Sequence, residues 1–177
     1  TTVITGGPGT GKTSIVARIL ESLAPTDPFI ALAAPTGKAA ARLQSAVGER
    51  LSGNPRLWGG TLHKLLGARP RSTQLGYGPG NPLPHDVVVV DETSMVSLEL
   101  MGHLAAALAP HARLILLGDP HQLRSVEAGA VLADIEQAGT LVTEPGGHIA
   151  RLRRNFRSNP EINRLAECIL AGDAAGA

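Results

Sequence analysis

Aromatic residues are almost missing from this chain: Phe29, Trp58, Tyr77 and Phe156 are all that its 177 residues contain. A core cannot be built around rings, so it must be assembled from Ala, Val, Ile and Leu, for which an apolar fraction of 43% leaves ample material. Cysteine occurs once, at Cys168, which excludes an internal disulfide and any multi-cysteine zinc site and fits a reducing cytoplasm. An excess of either charge is also lacking. Sixteen basic against fifteen acidic residues leave a net +1, so bulk charge carries no footprint of a nucleic-acid or membrane partner. Lysine is confined to Lys12, Lys38 and Lys64, the other basic residues being Arg, which makes each lysine worth locating. No apolar run approaches the roughly 20 residues that span a bilayer, and no signal peptide opens the chain. At 18% charged residues the sequence is no disordered tail, and its length suits one domain.

What is present is an alternation of short apolar runs with helical patterns, the signature of an α/β fold with a parallel sheet. The runs from Thr2 to Thr5, Phe29 to Ala34, Val87 to Val90 and Leu114 to Leu117 are almost uniformly apolar, as strands covered on both faces are. Between them, Ile15, Ile19, Leu20 and Leu23 fall on one helical face. Thr36 can cap a second helix carrying Ala40, Leu43 and Val47. Ser97 opens a third with Leu98, Met101, Leu104, Ala105 and Leu108. Residues 67–86, with four Gly and four Pro, predict a loop or a small protruding hairpin. The chain starts one strand before its first motif and stops without an obvious closing element, so a piece of a longer protein is expected.

Gly6-Gly7-Pro8-Gly9-Thr10-Gly11-Lys12-Thr13 matches a phosphate-binding loop between a strand and a helix. Glycines let backbone N–H groups turn inward around phosphate oxygens, and the helix adds its positive end. Lys12 is placed to reach β/γ-phosphates and the Thr13 hydroxyl to ligate Mg²⁺. A second Gly-Lys, in Pro35-Thr36-Gly37-Lys38, lacks both the opening glycine and the hydroxyl; it reads as a helix cap at the functional edge of the sheet. The strand Val87 to Val90 delivers Asp91 and Glu92 to that same edge. Asp91 suits Mg²⁺ and Glu92 suits polarising a water, a base that binding alone does not need. Gly118-Asp119-Pro120-His121-Gln122 is another polar turn after a strand, where the Gln122 amide can contact a γ-phosphate. Residues 149–164 hold five arginines and one acid, enough to offer one guanidinium to a phosphate.

As an ordered series these motifs resemble superfamily 1 DNA helicases of the RecD type, the exodeoxyribonuclease V alpha subunits and their stand-alone relatives, and specifically their first RecA-like motor domain. GGPGTGKT resembles motif I, APTGKAAARL motif Ia, TLHKLLG motif Ib, VVVVDETSM motif II, LLGDPHQLRSVEAGAVLADI motif III, and LRRNFRS the motif with the γ-phosphate arginine. The resemblance implies a RecA-like P-loop NTPase fold, with a central, mainly parallel sheet flanked by helices, and ATP and Mg²⁺ as cofactors. It implies a nucleotide site of Gly7, Pro8, Gly9, Thr10, Gly11, Lys12, Thr13 and Asp91, with Thr13 and Asp91 on the metal. Lys12, Glu92, Gln122 and Arg157 would carry catalysis, and Pro35, Thr36, Thr61 and His63 would contact single-stranded DNA. It further implies ATP-driven 5′ to 3′ translocation and unwinding in recombination or double-strand break repair. The implied partners are single-stranded DNA, duplex ends, a second RecA-like domain of the same parent chain and other subunits of a nuclease–helicase complex, with no membrane.

The glutamine that contacts adenine upstream of motif I is not in this sequence, and nothing resembles motifs V and VI. The chain thus reads as a single RecA-like domain over 1–177, with 67–86 a candidate strand-separating loop or hairpin and 148–177 the junction toward a second motor domain. Two other functions share the phosphate loop, an ATP-binding scaffold of a nuclease complex and a small-molecule kinase. Trp58, beside Gly59-Gly60, reads as a hydrophobic lid on a short helix rather than a base platform. His85, His103, His111 and His148 read as surface residues without metal-ligand spacing. His121 stays ambiguous.

Overall fold

Successive strand residues of this protein belong to two different cores. Val3, Val88, Val90, Leu114 and Leu116 pack into one, while Ile4, Val87, Val89, Ile115 and Leu117 pack into the other. Two-sided burial is what makes these strands read as unbroken apolar runs. The computed structural model describes residues 1–51, 56–72, 74–120, 122, 131–135 and 149–156. Its elements are β1 (Thr2–Gly6), α1 (Lys12–Leu23), β2 (Ile30–Ala34), α2 (Gly37–Gly48), β3 (Leu57–Thr61), α3 (Leu62–Leu65), β4 (Val87–Val90), α4 (Leu98–Ala107), β5 (Arg113–Gly118) and β6 (Ile149–Leu152). The six strands form one sheet in the order β3-β2-β4-β5-β1-β6, and every pairing is parallel. All six carboxyl ends therefore lie along one edge. Helices α1 and α2 cover one face, and α3, α4 and Val131 and Leu132 cover the other.

Local signals position the helices. Thr36 Oγ1 accepts the Ala39 N–H at 3.2 Å, Ser97 Oγ accepts that of Leu100 at 3.2 Å, and Thr61 Oγ1 accepts that of Lys64 at 3.3 Å. Each such cap contributes about 1 kcal/mol. In α2 the expected Ala40, Leu43 and Val47 are buried, together with Ala39. In α1 the fully buried residues are Val16, Ala17 and Leu20, while Ile15, Ile19 and Leu23 are only partly buried against the same core. The apolar face is wider than the expected stripe because α1 lies against both the sheet and α2. In α4, Leu98 and Ala105 are exposed, and Met101, Leu104 and Ala107 face the core. Ala105 sits about 100° around the axis from Leu104 and so leaves the buried stripe.

Two strands escape the apolar-run pattern. β3, LWGGT, is half-buried along its whole length and carries two glycines; a methyl group at Gly59 would overlap the Gln44 side chain of α2. β6, IARL, is an edge strand beside β1 with an exposed arginine in it. Trp58 packs on the core that includes α3, with its ring lying across Gly60. Among the described residues of 67–86 there is no helix or extended strand. A single bridge joins Gly78 to Asn81, and Leu83 is buried, with its N–H donating to Ala107 O at 2.8 Å. Tyr77 and Leu75 also pack against the core, so much of the segment is tied down.

His103 and His111 are exposed as expected, and His148, His121 and Cys168 lie outside the described residues. His85 overturns the surface expectation: it is 5% exposed, with its ring 4.1 Å from Phe29 and 6.1 Å from Trp58, centroid to centroid. The aromatics are few, yet two of them enclose this imidazole. Neither ring nitrogen has a hydrogen-bond partner among the described residues. Burial holds the His85 pKa below its ordinary 6.5, with Asp86 pulling weakly the other way. The folded chain then binds fewer protons here than the unfolded one. This contribution to stability is full above about pH 6.5 and is lost as the pH falls below it. His85→Leu is expected to keep the neutral-pH stability of the parent protein within about 1.5 kcal/mol and to flatten its loss of Tm between pH 7 and 5. Identical acid slopes in melts of the two proteins would place the ring in solvent.

Candidate nucleotide site

β1 ends at Gly6, and the chain folds back on itself before α1 begins. Thr10 Oγ1 donates to Gly7 O at 2.8 Å, and Gly9 and Gly11 adopt φ of 79° and 86°, where side chains with a Cβ are strained. Gly6 is required for a second reason: a Cβ there would lie 2.8 Å from Leu152 O, because the end of β6 runs directly over the loop. The Phe156 N–H donates to Gly9 O at 3.0 Å and ties the arginine-rich segment to the same turn. Lys12 opens α1 and turns its Nζ back to donate to the carbonyls of Gly6 and, at 2.9 Å, Gly7.

Asp91 and Glu92 leave β4 at the same edge. Asp91 Oδ1 accepts the Glu92 N–H at 2.8 Å, and Glu92 itself takes a left-handed conformation with φ 53°. The following turn is locked by Thr93, which is fully buried and donates to Leu117 O at 2.8 Å on β5. That hydroxyl fixes the acid turn against the next strand, whose own end supplies Gly118 and Asp119. The Gln122 N–H donates to Asp119 O at 3.2 Å.

These pieces wall one cleft of about 850 Å³, a size ordinary for a nucleotide-sized ligand. Residues 8–13 of the loop, Asp91, Glu92 and Gln122 all line it. Of the residues expected at the nucleotide, Pro8, Gly9, Thr10, Gly11, Lys12, Thr13 and Asp91 are therefore brought together; Gly7 does not line the cleft and is joined to it only through its carbonyl, which accepts from Lys12. Arg157 lies outside the described residues. Burial pushes the Lys12 pKa below its ordinary value, while Asp119 and then Asp91 pull it up and Arg42 adds to the lowering. Burial raises the Asp91 pKa, countered by the Glu92 N–H, Lys12 and Arg42. A desolvated carboxylate and a threonine hydroxyl lining one cleft fit a hard divalent cation completed by phosphate oxygens and water. Among the described residues no group of three or more His, Cys, Asp or Glu side chains could hold a metal alone.

The four residues expected at DNA lie farther along the same edge. Ala34 pairs with Thr61 across β2 and β3, so Pro35 and Thr36 neighbour Thr61 and His63. Thr36 and His63 are exposed, as are Lys38 and Lys64, and all three lysines of the chain thus stand at the carboxyl edge. The motif pattern alone missed Arg42, Arg18, Asp119, Thr93 and Phe156 as parts of the site or its support. Thr93 follows the acid pair directly, and Arg42, Asp119 and Phe156 lie inside the quoted motifs, but only tertiary packing shows which of these side chains reach the cleft. The Phe156 ring is 70% exposed, with the Arg154 guanidinium 5.1 Å from its centroid.

Residues 1–128 match the family described as AAA domain. RecBCD enzyme subunit RecD of Mycolicibacterium smegmatis is 51% identical over 99% of this chain and 34% of its own length. ATP-dependent RecD2 DNA helicase of Deinococcus radiodurans is 39% identical over 97% of this chain and 22% of its own. The chain spans between 22% and 34% of the length of the curated RecD-type relatives it matches. A crystal structure of Bacteroides Pif1 bound to ssDNA shares the fold, with a TM-score of 0.59 at 22% identity, over 97% of this chain and 43% of that one. The chain belongs to the AAA domain family, and over nearly its whole length it is similar to a RecD subunit and a RecD2 helicase.

Proposed function

We propose that this chain is the first RecA-like motor domain of a RecD-type DNA helicase, which hydrolyses Mg·ATP to translocate 5′ to 3′ on single-stranded DNA and open duplex ends during recombination or break repair. The observation that carries the proposal is the convergence of Lys12, the Asp91–Glu92 pair and Gln122 on one cleft at one sheet edge. The relatives, a RecBCD subunit and an ATP-dependent helicase, point the same way. No helix of the described residues is long and apolar enough to cross a membrane.

In this mechanism Lys12 exchanges its bonds to Gly6 and Gly7 for β/γ-phosphate oxygens. Thr13 and Asp91 would hold Mg²⁺, which would supply charge neutralisation on the phosphates. Glu92 accepts the proton of the attacking water, and the Gln122 amide touches the γ-phosphate and moves when it leaves. Arg157 offsets charge on the phosphoryl group in transfer; it follows Phe156, whose backbone is tied to the loop at Gly9. Pro35, Thr36, Thr61 and His63 grip single-stranded DNA. Residues 67–86 separate the strands, and 148–177 lead to the second RecA-like domain, whose closure on ATP converts hydrolysis into stepping. Other subunits of a nuclease complex are the remaining partners.

In the full-length parent, Lys12→Ala is expected to abolish unwinding. Glu92→Gln should retain ATP binding while kcat falls by about 10²–10⁴, the usual worth of a general base. Steady-state ATPase assays with and without single-stranded DNA check this. Wild-type turnover in Glu92→Gln would remove that residue from the base role, and absent stimulation by DNA would favour a scaffold or a kinase.

The left-handed Glu92 carries backbone strain of about 1 kcal/mol or more that a glycine would not. Glu92→Gly should therefore lose turnover without losing thermal stability. A calorimetric loss above about 1 kcal/mol, the ordinary cost of introducing glycine, would show that the turn holds no such strain.

A further inference from the structure

Three arginines on the cleft, Arg18, Arg42 and Arg50, have no part in the mechanism above. Arg42 lines it from α2, the helix that Thr36 caps. The packing explains how it arrives there. Ala39, Ala40, Leu43 and Val47 form the buried stripe of α2, which leaves Arg42 exposed at the stripe's margin. β2 leads into α2 and is paired with β4, the Asp91 N–H donating to Ala33 O at 2.9 Å. The first turns of α2 consequently stand beside the acid pair. Among the described residues the Arg42 guanidinium has no hydrogen-bond or ion-pair partner, so the cation is not committed to a structural bridge.

The position within the cleft follows from the strand order. β2, which leads into α2, pairs with β4, so Arg42 reaches the cleft from the side of Asp91 and Glu92. A cation on the acid side of the cleft stands where the terminal phosphate would lie if Lys12 holds the β/γ-phosphates and Asp91 the metal. The strand order puts β6 and Phe156 on the other side of the loop. Two further arginines line the cleft but are placed differently. Arg18 is six residues beyond Lys12 on α1, about 9 Å along the helix. Arg50 sits 3.9 Å from Glu21.

We propose that Arg42 binds the terminal phosphate of a nucleoside triphosphate, distinguishes triphosphate from diphosphate, and passes that difference along α2 to the Thr36 turn. A guanidinium presents planar paired donors that match phosphate oxygens, and a diphosphate lacks the group they would take. Thr36 and Arg42 share one rigid element, separated by about 9 Å of helix, so a pull on the guanidinium moves the cap. This inference rests on the nucleotide site proposed above and extends it to the mouth between α1 and α2.

The test uses the full-length parent, a fluorescent ADP and a fluorescent non-hydrolysable ATP analogue, with Arg42→Ala, Arg42→Lys and Lys12→Ala. Arg42→Ala is expected to weaken the triphosphate analogue about tenfold or more, as loss of a charge-assisted bond does, and the diphosphate less than about twofold on the same scale. Arg42→Lys should recover part of the loss, because it keeps the charge and not the fork. The change in single-stranded DNA affinity between the two nucleotide states should shrink in Arg42→Ala. Equal losses for both nucleotides, or none, with Lys12→Ala still abolishing binding, would overturn the role of Arg42 alone. Intact binding in Lys12→Ala would sink the nucleotide site and this inference with it. An exposed, unbridged side chain should leave Tm unchanged, and Arg42→Lys keeps the comparison readable if alanine lowers it.

Discussion

Parallel pairing is the constraint on which this domain depends. Because every described strand runs the same way, each carboxyl end opens onto one edge, and residues far apart in sequence meet there. The phosphate loop leaves β1, the acids leave β4, the polar turn leaves β5 and the arginine-rich segment leaves β6. A parallel sheet needs helices on both faces, and the two cores on either side of the strands are the price of that geometry. An antiparallel strand at β4 would send Asp91 and Glu92 to the wrong rim.

The rigidity so obtained is spent at the site. Lys12 and Asp91 are both pushed toward their neutral forms by burial, and Glu92 sits in a conformation that suits glycine better. Those are unfavourable features in a free protein, and they persist because Thr93 locks the acid turn to β5 and Gly9 ties the loop to Phe156, just beyond β6. Electrostatics in such a half-buried cleft are stronger than in water. The same desolvation that makes the charges uncomfortable therefore strengthens their grip on a phosphate and a cation.

Much of this was legible in the chain. The four uniformly apolar runs are β1, β2, β4 and β5, and Thr36 and Ser97 are caps where the pattern placed them. β3 and β6 were not legible, because an edge strand needs no continuous apolar run and here carries glycines or an arginine instead. The loop and the acid pair could be read because chemistry fixes their residue types at a strand end, Gln122 only through the resemblance of its surrounding motif, and the cleft does join them. Arg42 could not, since its place depends on how α2 docks beside β4, a tertiary fact with no local pattern. His85 was misread for a similar reason. In a Pro-rich segment no periodicity marks which side chain turns inward, and only the ring contacts with Phe29 and Trp58 reveal it.

The central claim is that the phosphate loop and the acid strand serve a single metal-bound triphosphate. The most direct measurement is a crystal structure of the full-length protein with a non-hydrolysable ATP analogue and Mn²⁺, the ion located by its anomalous signal. The account predicts one peak between the Thr13 hydroxyl and the Asp91 side of the cleft, with Lys12 Nζ on the phosphates. A nucleotide held by the loop with its ion remote from Asp91, or a nucleotide bound elsewhere, would contradict it.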